Sequence, residues 1–144
     1  MKLIKISTDL ELTVHDFPEG THEEQNRGLR ELIGNNCKTY EHVMPERLYT
    51  KLLMRNQPTK IPGECVSMLI DEEGLLKENT PNLIGSHIYK TDEHNVPIMG
   101  NILFVGEEWV GDGIDFCGIE EDTFKMLETE LKNMVLAMKD GGTV

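Results

Sequence analysis

The stretch C-V-S-M-L-I-D-E-E-G-L-L, Cys65 to Leu76, together with T-P-N at Thr80 to Asn82 and G-N-I-L-F-V-G at Gly100 to Gly106, decides the fold. Val66 to Ile70 is an apolar run of strand length, and Ile102 to Val105 is a second one that ends on glycine. Both read as buried strands, neighbours in one sheet. Asp71-Glu72-Glu73-Gly74 has the composition of a turn, with Gly74 expected to supply the positive φ that a hairpin needs.

Upstream, Lys2 to Ser7 alternates polar and apolar residues, and Leu10, Leu12 and Val14 alternate with Glu11 and Thr13. These are two half-buried strands around a turn at Thr8-Asp9. Thr21 and Glu24 fit a capping box, Leu29, Leu32 and Ile33 give an apolar face, and Gly34 stops the element, so a helix is expected over Thr21 to Ile33. Cys37 to Val43 can form a strand. Pro45, Leu48, Leu52 and Leu53 suit a short helix, although residues 46 to 55 read as helix or strand. Downstream the pattern weakens from Lys77 to Met99, which reads as irregular connection with a brief strand at Ser86 to Lys90. Gly106, Gly111, Gly113 and Gly118 surround Trp109 and read as a loop. Phe124, Leu127, Leu131, Met134, Val135 and Met138 follow the helical period after Glu120-Glu121-Asp122, giving a last helix with a docking face. The expected architecture is one α+β domain over residues 1–144: a mixed, mostly antiparallel sheet packed by two or three helices.

The chain has 144 residues, enough for a core without disulfides, and its three cysteines, Cys37, Cys65 and Cys117, are too widely spaced to frame a zinc site. Reduced thiols in a cytosolic setting are expected. No apolar run approaches the ~20 residues of a membrane span, and M-K-L-I-K-I-S turns polar too soon for a signal peptide. A formal net charge of -12 argues against general nucleic-acid binding, which depends on neutralising phosphates with Lys and Arg. The charge is uneven. Lys38, Arg47, Lys51, Arg55 and Lys60 fall in one window that holds only Glu41 and Glu46 as acids, so a small anion would meet the protein there, unless these are solvated surface charges.

No catalytic set emerges. His15, His22, His42, His87 and His94 are scattered without metal-ligand spacing, and no phosphate-loop signature occurs, so neither a metal nor a cofactor is expected. Asn82 follows Pro81 in a polar loop, where its amide can read a base edge or simply form an Asx turn. Trp109, Tyr40, Tyr49 and Tyr89 can stack on a base, a contact worth about 1–3 kcal/mol. They serve equally as core or interface residues.

The D-E-E-G turn, the Pro81-Asn82 segment and the Gly100 to Gly106 strand resemble a family of small, uncharacterised domains common in bacteriophages and mobile elements. The resemblance runs from about Leu29 to Met134, and the chain departs from it by an extended 45 to 63 segment that concentrates its basic residues. It implies a phage accessory protein of the host cytoplasm that acts by binding. The expectation is a non-enzymatic sponge that sequesters a small nucleotide signal of host defence, of the cyclic dinucleotide type. Arg47, Lys51 and Arg55, spaced by four, would share a helix face and pair with phosphates. Tyr40 or Trp109 would stack on a base, and Asn79 or Asn82 would read an edge. A homo-oligomer would help enclose the ligand. The alternative is an acidic interaction module, with Asp71 to Glu73, Glu107-Glu108 and Glu120 to Asp122 forming a patch that inhibits a host protein or mimics nucleic acid.

Overall fold

The computed structural model describes residues 1–51, 54, 58–77 and 80–141. Its strands are β1 (Lys2–Ile6), β2 (Leu12–Asp16), β3 (Tyr40–Val43), β4 (Cys65–Asp71), β5 (Ile102–Val110) and β6 (Gly113–Cys117). The helices are α1 (His22–Ile33), α2 (Glu46–Lys51), α3 (Leu83–Tyr89), α4 (Thr91–His94) and α5 (Glu121–Lys139). The strands form one sheet in the order β2-β1-β5-β4-β3, with β6 paired to the far half of β5. Every pairing between these strands is antiparallel, which makes the fold α+β.

The two apolar runs are adjacent, as expected, with Val66 opposite Gly106 and Met68 opposite Phe104. All seven residues of β4 are buried because helices cover both faces of the sheet. On one face Ile4, Ile6, Val66, Met68, Ile102 and Phe104 pack with Leu48 of α2, Ile84 and Ile88 of α3, and Leu127, Leu131 and Met134 of α5. On the other, Leu3, Leu69, Leu103 and Val105 meet Leu29 and Ile33 of α1. Each such side chain withdrawn from water contributes about 1.5–3 kcal/mol, so these two layers hold the sheet centre in place.

The capping box of α1 is formed: Thr21 Oγ1 accepts from the Glu24 N–H at 3.1 Å, and Glu24 Oε1 accepts from the Thr21 N–H at 3.2 Å. Residues 46–51, open between helix and strand in sequence, are helical. Three expectations are corrected. Ser86 to Lys90 is no strand but the end of α3, since Asn82 caps a turn whose Ile84 and Ile88, four apart, point into the core. Trp109 sits in β5, not in a loop, because Gly106 to Val110 pairs with Gly113 to Cys117 as a hairpin. Gly74 has no positive φ; it closes a turn by donating to the Asp71 carbonyl at 3.0 Å, and thirty residues with two helices intervene before β5.

Glycine matters most where backbones touch. A Cβ on Gly106 would stand 2.4 Å from the Gly118 carbonyl oxygen and 2.6 Å from Gly63 Cα. Three chain segments therefore meet at Gly63, Gly106 and Gly118, which fixes the start of β4 against the β5–β6 hairpin and the entry to α5. No helix among the described residues is long and apolar enough to cross a membrane.

Candidate functional site

Arg47, in the first turn of α2, is a member of the basic window that lines a surface groove. Helix α2 packs on α3, and a wide-open groove of about 610 Å³ between them and α4 is lined by Arg47, Ser86, His87, Thr91 and Asp92. One edge of the guanidinium is fixed: Nη1 donates to the His87 carbonyl at 3.0 Å and to His87 Nδ1 at 2.9 Å. That second contact makes Nδ1 an acceptor and puts any ring proton of a neutral His87 on Nε2. The other edge meets Asp92, with Nη2 donating to the carboxylate oxygens at 3.0 and 2.9 Å.

The two ends of this arrangement differ in exposure. Arg47 keeps only 25% of its side chain exposed, whereas Asp92 keeps 62%. Asp92 lies on the four-residue α4, flanked by Lys90 and Asn95 in left-handed conformation at φ 64° and 60°. A second link, His94 to Glu46 at 3.1 Å, and stacking of His94 on Tyr89 at 4.6 Å between ring centroids tie α4 to α2 and α3. Ser86 and Thr91 spend their hydroxyls on the 96–98 segment: Ser86 Oγ accepts from the Ile98 N–H at 3.0 Å and Thr91 donates to the Val96 carbonyl at 2.9 Å.

The other residues expected at a site lie elsewhere. Asn82 is fully buried, and its amide is consumed by the fold: Nδ2 donates to the carbonyls of Ile6 and Gly100 at 3.0 Å each, and Oδ1 accepts from the Gly85 N–H at 2.9 Å. An amide with no solvent-facing atom has no edge left to offer a base. Tyr40 packs on the α1 side of the sheet, hydrogen-bonded to Asn26 and set edge-on to Phe116. Trp109 is at the far hairpin, with Nε1 donating to the Pro58 carbonyl at 3.1 Å. Lys51 ends α2; its side chain, Arg55 and Asn79 lie outside the described residues.

A polar cluster that sequence reading missed spans three strands of the sheet, with Ser67 and Glu107 buried and His42 38% exposed at its rim. Ser67 of β4 donates to Glu107 Oε1 of β5 and lies 2.9 Å from His42 Nε2 of β3. The hydroxyl has one proton; once Glu107 takes it, Oγ accepts from His42, which sets the proton on Nε2. Burial pushes the Glu107 carboxyl up and the His42 imidazole down from their ordinary values. A nucleophilic relay needs the hydroxyl and the acid on opposite ring nitrogens. Here Ser67 and Glu107 both approach Nε2, the latter at 3.5 Å, and Ser67 is fully buried, so the cluster holds three strands together without activating a nucleophile. Its signal in sequence is the pair of polar residues, Ser67 and Glu107, interrupting apolar strand runs.

The thiols are similarly subdued. Burial raises Cys37, while burial and the Glu107 charge bring Cys65 to about 12, and burial with Glu108 and Asp115 brings Cys117 to about 12. At neutral pH the thiolate, the reactive form, is scarce at all three. Among the described residues no group of three or more His, Cys, Asp or Glu side chains is placed to hold a metal ion. Outside the basic window, Arg27 and Arg30 line a cavity of about 230 Å³ with Cys37. That cavity sits at the C-terminal end of α1, whose carbonyls disfavour an anion.

No family model matches the chain, and neither the curated proteins nor the solved structures contain a match to it.

Proposed function

We propose that the protein is a non-catalytic binder that takes a small anionic nucleotide, of the cyclic dinucleotide type, in the groove between α2 and α3–α4. In the phage setting implied by the sequence resemblance, such binding would sequester a signal of host defence. The observation that carries the reading is the asymmetry at Arg47: its guanidinium is held from one side by His87, while its other edge meets the exposed Asp92. A phosphate offers a guanidinium the same paired oxygens as a carboxylate, with more charge. Ligand phosphate would displace Asp92 in the groove that Ser86, His87 and Thr91 also line. Because the groove is open on one copy, enclosure by a second copy belongs to this reading.

The test is calorimetric titration of the purified chain with a panel of cyclic di- and mononucleotides, followed by heating to release what bound. Saturable binding with unchanged ligand recovered is expected. Arg47→Ala should weaken it by about tenfold or more, roughly the value of one charge-assisted pair. Asp92→Asn, which removes the internal competitor, should tighten it. Unchanged affinity in Arg47→Ala, weaker binding in Asp92→Asn, or recovery of altered ligand would each overturn the reading.

A further inference from the structure

On one side the sheet ends at β3, which pairs with β4 and, among the described residues, with no strand beyond it. The rung just before the strand shows which way its backbone points. The Glu72 N–H donates to the Thr39 carbonyl at 3.1 Å, so Thr39, Glu41 and Val43 bond toward β4, while Tyr40 and His42 turn their N–H and C=O groups the other way. No described residue hydrogen-bonds those outward groups. An open edge of this kind is a template for one more strand.

A pocket lies against the same edge. Glu41 and Val43 of β3, Ile70 of β4, Leu75, Tyr89 and Val96 are among the residues that line a half-open cavity of about 150 Å³. Its rim is apolar where it meets water, with Leu75 60% and Val96 40% exposed. A cavity of roughly this volume admits a benzene ring, whereas pockets for drug-sized ligands begin at roughly 300 Å³. It suits one Leu- or Phe-sized side chain and is too small for a nucleotide. Glu41 and Val43 are two apart and share a face, so a strand added at the edge would send the side chains opposite them toward the cavity.

The acids in the lining add a second criterion. Glu41 and Glu72 are exposed and have no cationic partner among the described residues. Asp71 is already held by Lys77, which also donates to the Asn35 carbonyl, and Lys38 precedes the strand and is not part of the lining. A second copy of β3 is a poor occupant. Antiparallel registers that bond Tyr40 or His42 set Thr39, Glu41 or Val43 of one copy opposite Glu41 of the other. The first is polar, the second is a like charge on a close rung, and the third is packed in its own core.

We propose that the open edge of β3 receives an extended segment of a partner protein, paired antiparallel like the rest of the sheet, with one Leu- or Phe-sized side chain in the pocket and a Lys or Arg two residues away against Glu41 and Glu72. None of these residues lines the Arg47 groove, so the docking stands or falls apart from nucleotide binding.

The full chain, isotope-labelled, is titrated with the synthetic peptide Thr-Arg-Thr-Leu-Thr-Arg-Thr while amide hydrogen exchange is followed by NMR. Exchange at the Tyr40 and His42 amides should slow with saturation, and Glu41 and Val43, already bonded to β4, should keep their rates. Replacing Leu by Ser should weaken binding about tenfold or more, and so should replacing the two flanking Thr by Pro, which leaves no N–H for the His42 carbonyl. A peptide with Glu in place of both Arg should bind more weakly than the parent peptide, and Glu41→Lys should reverse that preference. Leu75→Ser with Val96→Ser, in a protein whose circular dichroism matches the parent, should narrow the gap between the Leu and Ser peptides. No saturable binding of the Leu peptide, equal binding of the Ser or Pro peptide, a charge preference that Glu41→Lys does not reverse, a gap that the double variant leaves unchanged, unaltered exchange at Tyr40 and His42, or their protection by chain concentration alone would each overturn the proposal.

Discussion

Asn82 shows how one side chain can carry more of a fold than its polarity advertises. Its three hydrogen bonds join the end of β1, the residue two before β5 and the first turn of α3, all out of water. Asn82→Ala should cost about 2–4 kcal/mol, since a lost cap is worth ~1 kcal/mol and each orphaned buried carbonyl more. Asn82→Asp keeps the cap acceptor but sets a charge against two carbonyls, so it should be no better; denaturant melts measure both, and a stable Asp variant would refute the staple. Glu107 predicts a pH effect. Its carboxyl is raised in the fold above the ordinary 4.5, so the stability tied to the protonated form is complete below 4.5 and is lost as pH rises through the folded value. His42, lowered from 6.5, acts in the other sense: the stability tied to its neutral ring is present above 6.5 and is lost as pH falls through the folded value. Glu107→Gln should therefore melt higher than the parent near neutral pH, with the gap closing by about pH 4. A gap that does not vary with pH would dismiss the burial argument.

At the scale of elements, the contact of Gly63, Gly106 and Gly118 separates glycines that look alike in sequence. Gly106→Ala forces a methyl into two backbones and should cost about 3 kcal/mol or more, whereas Gly113→Ala, whose Cβ would meet nothing nearer than 3.9 Å, should stay within about 0.5 kcal/mol. Thermal melts of the two variants make the comparison, and equal losses would contradict it. The same glycines explain what was legible. The capping box, the apolar runs and the periodic last helix carry their signals locally, so α1, β4, the start of β5 and α5 could be read from the chain. Glycine density around Trp109 read as a loop because a close backbone approach and a flexible turn use the same residue. Helix α3 was missed because seven residues give only one apolar repeat, Ile84 and Ile88, and because its cap, Asn82, looked like a recognition residue.

For the whole molecule, charge was legible in amount but not in arrangement. Arg47 and Asp92 are 45 positions apart in the chain, and nothing local announces that one neutralises the other. Asp71 and Glu107 look like members of acidic surface clusters, yet Asp71 is 4% exposed and held by Lys77, and Glu107 is 5% exposed and held by Ser67. Strand order has a further consequence, in time. Strand β1 takes β2 on one side but waits on the other for β5, about a hundred residues later, and the central pairing of β5 with β4 closes a loop that contains α3 and α4. Contacts of such long separation form slowly, in the millisecond-to-second range for sheets of this kind. A chain emerging from a ribosome thus carries its first hairpin with one edge unpaired until residues 102 to 104 arrive, and β5, the central strand of the finished sheet, is among the last to be made.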